Sequence, residues 1–256
     1  MGRLEGKIAI ITGASGGIGS ATAAKMVAEG AKVMMAGRNA ARLQTAVDLV
    51  SGGDAVAQFI GDPSEEADVI ALVEATKARF GGVDILFANA GAEGAIAPLT
   101  SITVEDFDLV QQVNVRGTWL ALKHAAPAMI ERGGGSIICT SSVAGSVGVA
   151  GLSSYAASKH AINGLVHVAA LEFAKAGVRV NSVAPAPIDN AMMASIEAQA
   201  SPDDPSLARA GFSGLIAMGR YGTNEEVANM VAFLASDEAR YCTGGIYPVD
   251  GGFLAA

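Results

Sequence analysis

Lys7-Ile8-Ala9-Ile10-Ile11-Thr12-Gly13-Ala14-Ser15-Gly16-Gly17-Ile18-Gly19 is the stretch that decides the fold. Its first half is apolar at every position from Ile8 to Ile11, as in a strand covered on both faces of a parallel sheet. A glycine-rich turn follows at once, then helical sequence from about Ile18 to Glu29 that ends at Gly30. Strand, glycine turn and helix in that order bring the backbone close to a pyrophosphate, and the helix N-terminus adds N–H groups and positive potential. Gly13, Ser15, Gly17, Ile18 and Gly19 are therefore read as a cradle for a dinucleotide; the alternative is an ordinary tight turn.

The alternation continues outward from that stretch. Strands are expected at 31–36, 55–60, 83–88, 136–140, 178–183 and 245–249, and helices at 40–50, 64–79, 104–131, 153–175 and 225–235. Ser64 is read as the cap of its helix and Pro127 as a kink in the long one. Such alternation makes an α/β fold: a Rossmann-type, doubly wound, seven-stranded and mostly parallel sheet with helices on both faces. No Pro/Ser-rich linker or repeat divides the chain, so 1–256 is one domain. The irregular stretch 186–218 carries Pro187, Pro202 and Pro205 beside Met192 and Met193, and is read as a mobile lid over a substrate site.

Composition narrows the partners. With 17 Lys+Arg against 25 Asp+Glu the net charge is −8, and no basic cluster exists, so nucleic acid and anionic membrane are excluded as expected partners. No apolar run approaches the ~20 residues of a membrane span. The N-terminus lacks a signal-peptide layout, and Cys139 and Cys242 read as reduced thiols, so a cytoplasmic location is expected. His124, His160 and His167 have no carboxylate at ligand spacing, and no metal site is expected.

Two places carry chemistry. The second strand ends in Ala36-Gly37-Arg38-Asn39, with no carboxylate to bond a ribose 2′-hydroxyl and one guanidinium to meet a 2′-phosphate. This favours NADP(H), with NAD(H) a possibility. Asp62, before Pro63, is placed to meet the adenine, and Asn89-Ala90-Gly91 lines the cofactor or supports the sheet. Further on, Tyr155 and Lys159 stand one helical turn apart, so phenol and ammonium share a face. An ammonium beside a phenol is expected to lower its pKa, making Tyr155 a candidate general acid and base. Ser142 ends the preceding strand, where its hydroxyl can be brought alongside.

Taken together, Thr12-Gly-x-x-x-Gly17-x-Gly19, Asn89-Ala90-Gly91, Asn114, Ser142, Tyr155-x-x-x-Lys159 and Asn181-Ser-Val-Ala-Pro185 resemble the short-chain dehydrogenase/reductase family in its single-domain branch. The resemblance runs from Lys7 to Gly252. It implies an oxidoreductase interconverting a secondary alcohol and a ketone, with Tyr155 as proton donor and acceptor and Ser142 holding the same oxygen. It further implies that Lys159 binds the nicotinamide ribose, that Asn114 anchors a water linking Lys159 to solvent, and that Pro185 and Ile188 lie against the nicotinamide. The family's assembly implies a homotetramer, with Phe107 and Trp119 in the core or at an interface. Val166, Ala169 and Ala170 suit either an interface or internal packing. Glu93, Ala144, Val149, Ala186, Met192 and Met193 border the expected substrate pocket, with Ser142 and Tyr155; mostly apolar, it suits a hydrophobic or cyclic small molecule.

Three positions depart from the family pattern. Ala186 follows Pro185 where glycine is usual, Asn190 stands where threonine is common, and Gly16 occupies a place often basic in NADP users. Two rival readings share the motifs. A nucleotide-sugar epimerase or dehydratase also uses Tyr-x-x-x-Lys but carries a longer C-terminal substrate domain. A non-catalytic dinucleotide-binding protein has no need of Ser142, Tyr155 and Lys159 together.

Overall fold

The computed structural model describes residues Gly2–Ala255. The strands are β1 (Ile8–Thr12), β2 (Lys32–Gly37), β3 (Val56–Ile60), β4 (Ile85–Ala88), β5 (Gly135–Thr140), β6 (Val178–Pro185) and β7 (Ile246–Val249). Among the described residues they form one seven-stranded sheet in the order β3-β2-β1-β4-β5-β6-β7. Every neighbouring pair is parallel, including the edge pair β6–β7, so the sheet is wholly and not mostly parallel.

The helices are α1 (Gly17–Ala28), α2 (Ala40–Val50), α3 (Glu66–Phe80), α4 (Val104–Gln111), α5 (Gly117–Glu131), α6 (Ser153–Phe173), α7 (Ala191–Ala200), α8 (Pro205–Gly214) and α9 (Asn224–Ala235). Alternate strand residues feed two cores. Ile10, Met34, Leu86 and Ile137 face Leu72 of α3, Leu122 of α5 and Val166 of α6. Ala9, Ile11, Val33 and Phe87 face Met26 of α1, Leu43 of α2 and Val231 of α9. This double cover is why β1 has no polar position until Thr12.

Three expectations change. The helix over 104–131 is interrupted by a π-helical turn at Gln112–Arg116, and Pro127 sits inside α5 without ending it. Ser64 does not cap α3: Glu65 holds the N-cap position, and the Ser64 hydroxyl instead donates to Asp62 Oδ1 at 2.7 Å. The stretch 186–218 is not irregular, because it contains α7, capped by Asn190, and α8, capped by Asp204 with Pro205 in its first turn.

The carboxyl ends of the three central strands are joined by one side chain. Asn89 Nδ2 donates to the carbonyls of Thr12 (3.2 Å) and Gly13 (3.3 Å), and its Oδ1 accepts from Thr140 Oγ1 (3.1 Å). Thr12 Oγ1 returns the contact by accepting from the backbone N–H groups of Asn89 and Ala90. Each bond contributes about 1 kcal/mol net. Asn89→Ala is expected to lower unfolding stability by about 2 kcal/mol, read as a lower urea midpoint with unchanged slope.

Candidate active site

The crevice lies where β1 and β4 diverge in chain order, the place an open α/β sheet offers a ligand. Its floor is the turn after β1. Gly13 has φ +64°, and a Cβ there would stand 2.8 Å from the Ala90 Cα. A Cβ on Gly19 would meet the Gly13 carbonyl at 2.4 Å, and one on Gly17 would meet Asn224 Oδ1 at 2.6 Å. Close backbone approach thus requires glycine at Gly13 and Gly19, whereas at Gly17 only the Asn224 side chain would have to yield; the opened backbone suits the pyrophosphate of a dinucleotide. Ser15 and Ile18 stay partly exposed beside it.

A small cavity between β1, β2 and β3 is lined by Gly13, Gly37, Phe59, Asp62, Pro63 and Leu72, the position expected for adenine. Arg38, its side chain 58% exposed, reaches Asp62 Oδ2 at 3.6 Å. Burial raises the Asp62 carboxyl, but hydrogen bonds from Ser64 and the charge of Arg38 outweigh it and hold the pKa below the usual carboxylate value. No carboxylate ends β2; a Cβ on Gly37 would lie 3.6 Å from Ser15 Oγ.

The structure brings Ser142, Tyr155 and Lys159 together. Val143–Gly145 forms a short 3₁₀ turn after β5, and Asn163 Nδ2 of α6 donates to the Gly145 carbonyl at 2.9 Å, tying that turn to the helix. Ser142 Oγ donates to the Pro185 carbonyl at 3.4 Å and accepts from Ala144 N at 3.2 Å. Lys159, only 2% exposed, donates from Nζ to the Thr140 carbonyl at 2.7 Å. Its ammonium stands over the Tyr155 ring, 5.3 Å from the centroid.

That geometry corrects the expected effect of Lys159 on Tyr155. The ammonium lies over the ring and bonds the Thr140 carbonyl, and it is not among the groups that set the phenol's pKa. Burial pushes Tyr155 up to about 12, the Ser142 hydroxyl pulls it back, and the Glu93 charge adds to the rise. Burial also draws Lys159 down to about 8. Beside it, burial pushes the Cys139 thiol up to about 12, so no thiolate neutralises the ammonium.

Asn114 lies in the π turn and is fully buried. Its Nδ2 donates to the Ala92 carbonyl and to Ser158 Oγ, both at 2.9 Å, and its Oδ1 accepts from Ala92 N at 2.8 Å. Both side-chain N–H groups are thus spent on protein partners. A Cβ placed on Gly91 would be 3.3 Å from Asn114 Oδ1 and 3.7 Å from Lys159 Nζ. The π turn inserts a residue without breaking the helix, a device common at functional sites.

Around the mouth, the loop after β4 meets two other segments. Ala97 N donates to the Gly151 carbonyl at 3.1 Å, and Ile96 N donates to Gln199 Oε1 of α7 at 3.2 Å. Glu93, Val149, Met192 and Met193 are partly exposed, and Ala144 is buried. Ala186 lines a cavity of about 350 Å³ shared with Ile216, Arg220, Glu226 and Asp250. Gly222 bridges Ile188 in parallel, using the Pro187 carbonyl and the Asp189 N–H, so the peptide groups of Ile188 itself turn away from it.

Sequence reading missed Thr12, Thr140, Ser158, Gln199 and Arg209 as supports. Ser158 had a signal: it lies three residues from Tyr155 on the same helical face. His124 has the carboxylate that spacing did not reveal, since its Nε2 lies 2.9 Å from Glu66 Oε1. Among the described residues no group of three or more His, Cys, Asp or Glu is placed to hold a metal ion. None of their helices is long and apolar enough to cross a membrane. Phe107 and Trp119 are exposed, whereas Val166, Ala169 and Ala170 are buried in the chain's own core.

Known proteins resemble this chain along nearly its whole length. A short-chain dehydrogenase/reductase model described as Enoyl-(Acyl carrier protein) reductase matches residues 13–254. Levodione reductase of Leifsonia aquatica is 39% identical over 257 residues, covering 99% of this chain and 96% of the relative. A crystal structure of levodione reductase superposes with a TM-score of 0.96 at 38% identity, covering 99% of both chains. Cyclohexanol dehydrogenase of Acinetobacter sp. (strain SE19) is 36% identical over 99% of this chain and 97% of its own. The structure of NAD+-bound xylitol dehydrogenase gives a TM-score of 0.93 at 34% identity, covering 97% of this chain and 99% of that one.

Lys159 offers a stability test. Its folded pKa lies below its ordinary value of 10.5, so between about 8 and 10.5 the unfolded chain binds the proton and the folded chain does not. Stability therefore rises with pH through that window as the desolvation cost is relieved. Lys159→Met should be more stable than wild type near neutral pH, by at most about 3 kcal/mol less the lost Thr140 bond. Denaturant melts of both proteins should show the difference shrinking between pH 8 and 10.5.

Proposed function

The chain belongs to the short-chain dehydrogenase/reductase family, and we propose that its crevice takes a cyclic secondary alcohol or ketone with NADP(H) as the preferred cofactor. The protein is a nicotinamide-dependent oxidoreductase that interconverts a secondary alcohol and a ketone by hydride transfer. What carries the reading is the convergence of Ser142, Tyr155 and Lys159 beside a glycine turn that only a bare backbone fills.

Nicotinamide, when bound, supplies the hydride or accepts it. Tyr155, a neutral phenol because burial holds its proton, gives that proton to the carbonyl oxygen during reduction and is left as phenolate; in the reverse direction the phenol first loses its proton toward Lys159, and the phenolate then takes the alcohol's proton. Ser142 donates to the same oxygen and fixes its position as charge develops. Lys159 binds the ribose hydroxyls and, drawn down to about 8, passes a proton toward the phenol more readily than an ordinary lysine. The closeness of Asn114 and Lys159 to Gly91 supports a water there that reconnects Lys159 with solvent. Pro185 and Ile188 wall the nicotinamide.

The substrate class rests on the pocket's chemistry and on the relatives. Ala144, Val149, Met192 and Met193 give an apolar wall, which suits a ring and not a phosphorylated sugar. Glu93 is the polar exception: it makes no ion pair among the described residues and its charge is felt at Tyr155. It is available to accept from a second hydroxyl, which favours cyclic diols and hydroxyketones. Arg38 and Ser15, with no carboxylate ending β2, favour a 2′-phosphate; the Asp62 contact tempers that preference. A homotetramer is supported by apolar side chains on the outer faces, among them Phe107, Trp119, Val168 and Leu171. Two free cysteines fit a cytoplasmic location.

A panel of cyclic, aryl and keto-ester carbonyls, followed by nicotinamide absorbance with NADPH and NADH, is the direct test. Cyclic ketones should turn over, those with a second hydroxyl best; turnover only of phosphorylated sugars defeats the pocket reading. Tyr155→Phe should lose about 10²–10⁴-fold in kcat with cofactor affinity nearly intact. A Tyr155→Phe variant turning over at the wild-type rate removes the proton-donor assignment. Arg38→Ala should weaken NADPH by about tenfold and NADH little, as one charge-assisted phosphate contact predicts. Equal weakening of both cofactors removes the 2′-phosphate argument.

A further inference from the structure

Helix α7 crosses the mouth of the crevice with thin support at its far end. There Gln199 accepts one bond from Ile96 N at 3.2 Å. At its root Asn190 Oδ1 accepts from the backbone N–H of Met192 and Met193, and Asn190 Nδ2 donates to Asn224 Oδ1 at 3.3 Å. Neither contact fixes the direction in which α7 leaves the sheet.

Arg209 of α8 supplies what those contacts lack. Its guanidinium forks onto the Asp189 carboxylate, with Nη1–Oδ1 at 3.0 Å and Nη2–Oδ2 at 2.9 Å, at the residue where β6's extension turns into the lid. The same Nη1 lies 3.6 Å from Glu197 Oε1 of α7. Its plane lies over the Tyr221 ring, 4.5 Å from the centroid. Tyr221 is buried and belongs to the segment leading to α9. One side chain therefore touches the lid root, both lid helices and the body of the domain.

Exposed ion pairs usually contribute little, and Arg209–Asp189 alone would be no exception. Glu197 changes the balance: its side chain is 9% exposed, and Arg209 is the only cation among the described residues within ion-pair distance. Removing Arg209 leaves that carboxylate shielded from water with no counter-charge, a cost that outward movement of α7 relieves.

We propose that Arg209 is a positioning residue that holds α7 across the crevice, so that Met192 and Met193 stay against the substrate. The proposal rests on the reading that the crevice beside Tyr155 receives the carbonyl substrate. Arg209 touches neither substrate nor cofactor; it acts through Glu197 and Asp189, and its loss removes binding contributed equally to ground and transition states.

The test uses Arg209→Met, which keeps an unbranched apolar stem without the charge, and Arg209→Lys, which keeps the charge without the fork. Arg209→Met should raise the substrate KM by about tenfold with kcat little changed, and Arg209→Lys should fall between it and wild type. Amide hydrogen exchange over 191–200 should quicken in Arg209→Met while the β-sheet stays protected. A KM within about twofold of wild type, or unchanged exchange over 191–200, overturns the proposal. If Arg209→Met does not fold, Arg209→Lys against wild type decides by the same two readouts. A wild-type protein that turns over no alcohol or ketone would defeat the oxidoreductase reading instead, and the exchange comparison would still judge Arg209.

Discussion

Everything at the crevice depends on how the carboxyl ends of β1, β4 and β5 are held level. Parallel strands leave their last carbonyls pointing into the space a ligand will use, and neighbouring strands have no hairpin to fix their ends. Here the ends are joined by Thr12, Asn89 and Thr140. The Thr140 hydroxyl bonds Asn89, while the Thr140 carbonyl receives Lys159. The glycine turn and Lys159 are thus fastened to the same three-strand edge.

Tyr155 and Lys159 are arranged in a way their spacing alone does not convey. One turn of helix puts Tyr155 and Lys159 on one face, but it does not say which part of the phenol meets the ammonium. The ammonium sits over the ring because the Thr140 carbonyl draws it inward. A buried lysine with one carbonyl partner is costly, and its depressed pKa expresses that cost. The site therefore stores a destabilised charge and a phenol that keeps its proton, a combination suited to proton transfer and poorly suited to stability.

The sheet was legible because its signals are local and redundant: an apolar run, a turn and a helix, repeated. The glycine turn and the Tyr155 helix were legible for the same reason. What escaped was joined across distance. Asn114 meets Ala92 and Ser158, 22 and 44 residues away, and no local pattern shows that its amide will be spent on them. Helices α7 and α8 escaped for another reason: Pro202 and Pro205 suggested irregularity, although Asp204-Pro205 and Asn190 are good helix-start signals. Val166, Ala169 and Ala170 could not be assigned to core or interface by sequence, since both surfaces want small apolar residues.

The π turn at Gln112–Arg116 makes α4 and α5 one helix with a single residue too many. In a regular helix each residue advances about 100° around the axis, so the extra one resets the phase between the two halves. The half carrying Phe107 and the half carrying Trp119 are thereby set independently, while Asn114 is turned inward at the join. A natural or engineered deletion of one residue there would restore unbroken α-helix at the expense of that phase. The chain would keep its helical content and lose the alignment between its outer surface and its reaction centre, a defect that circular dichroism would not detect and kinetics would.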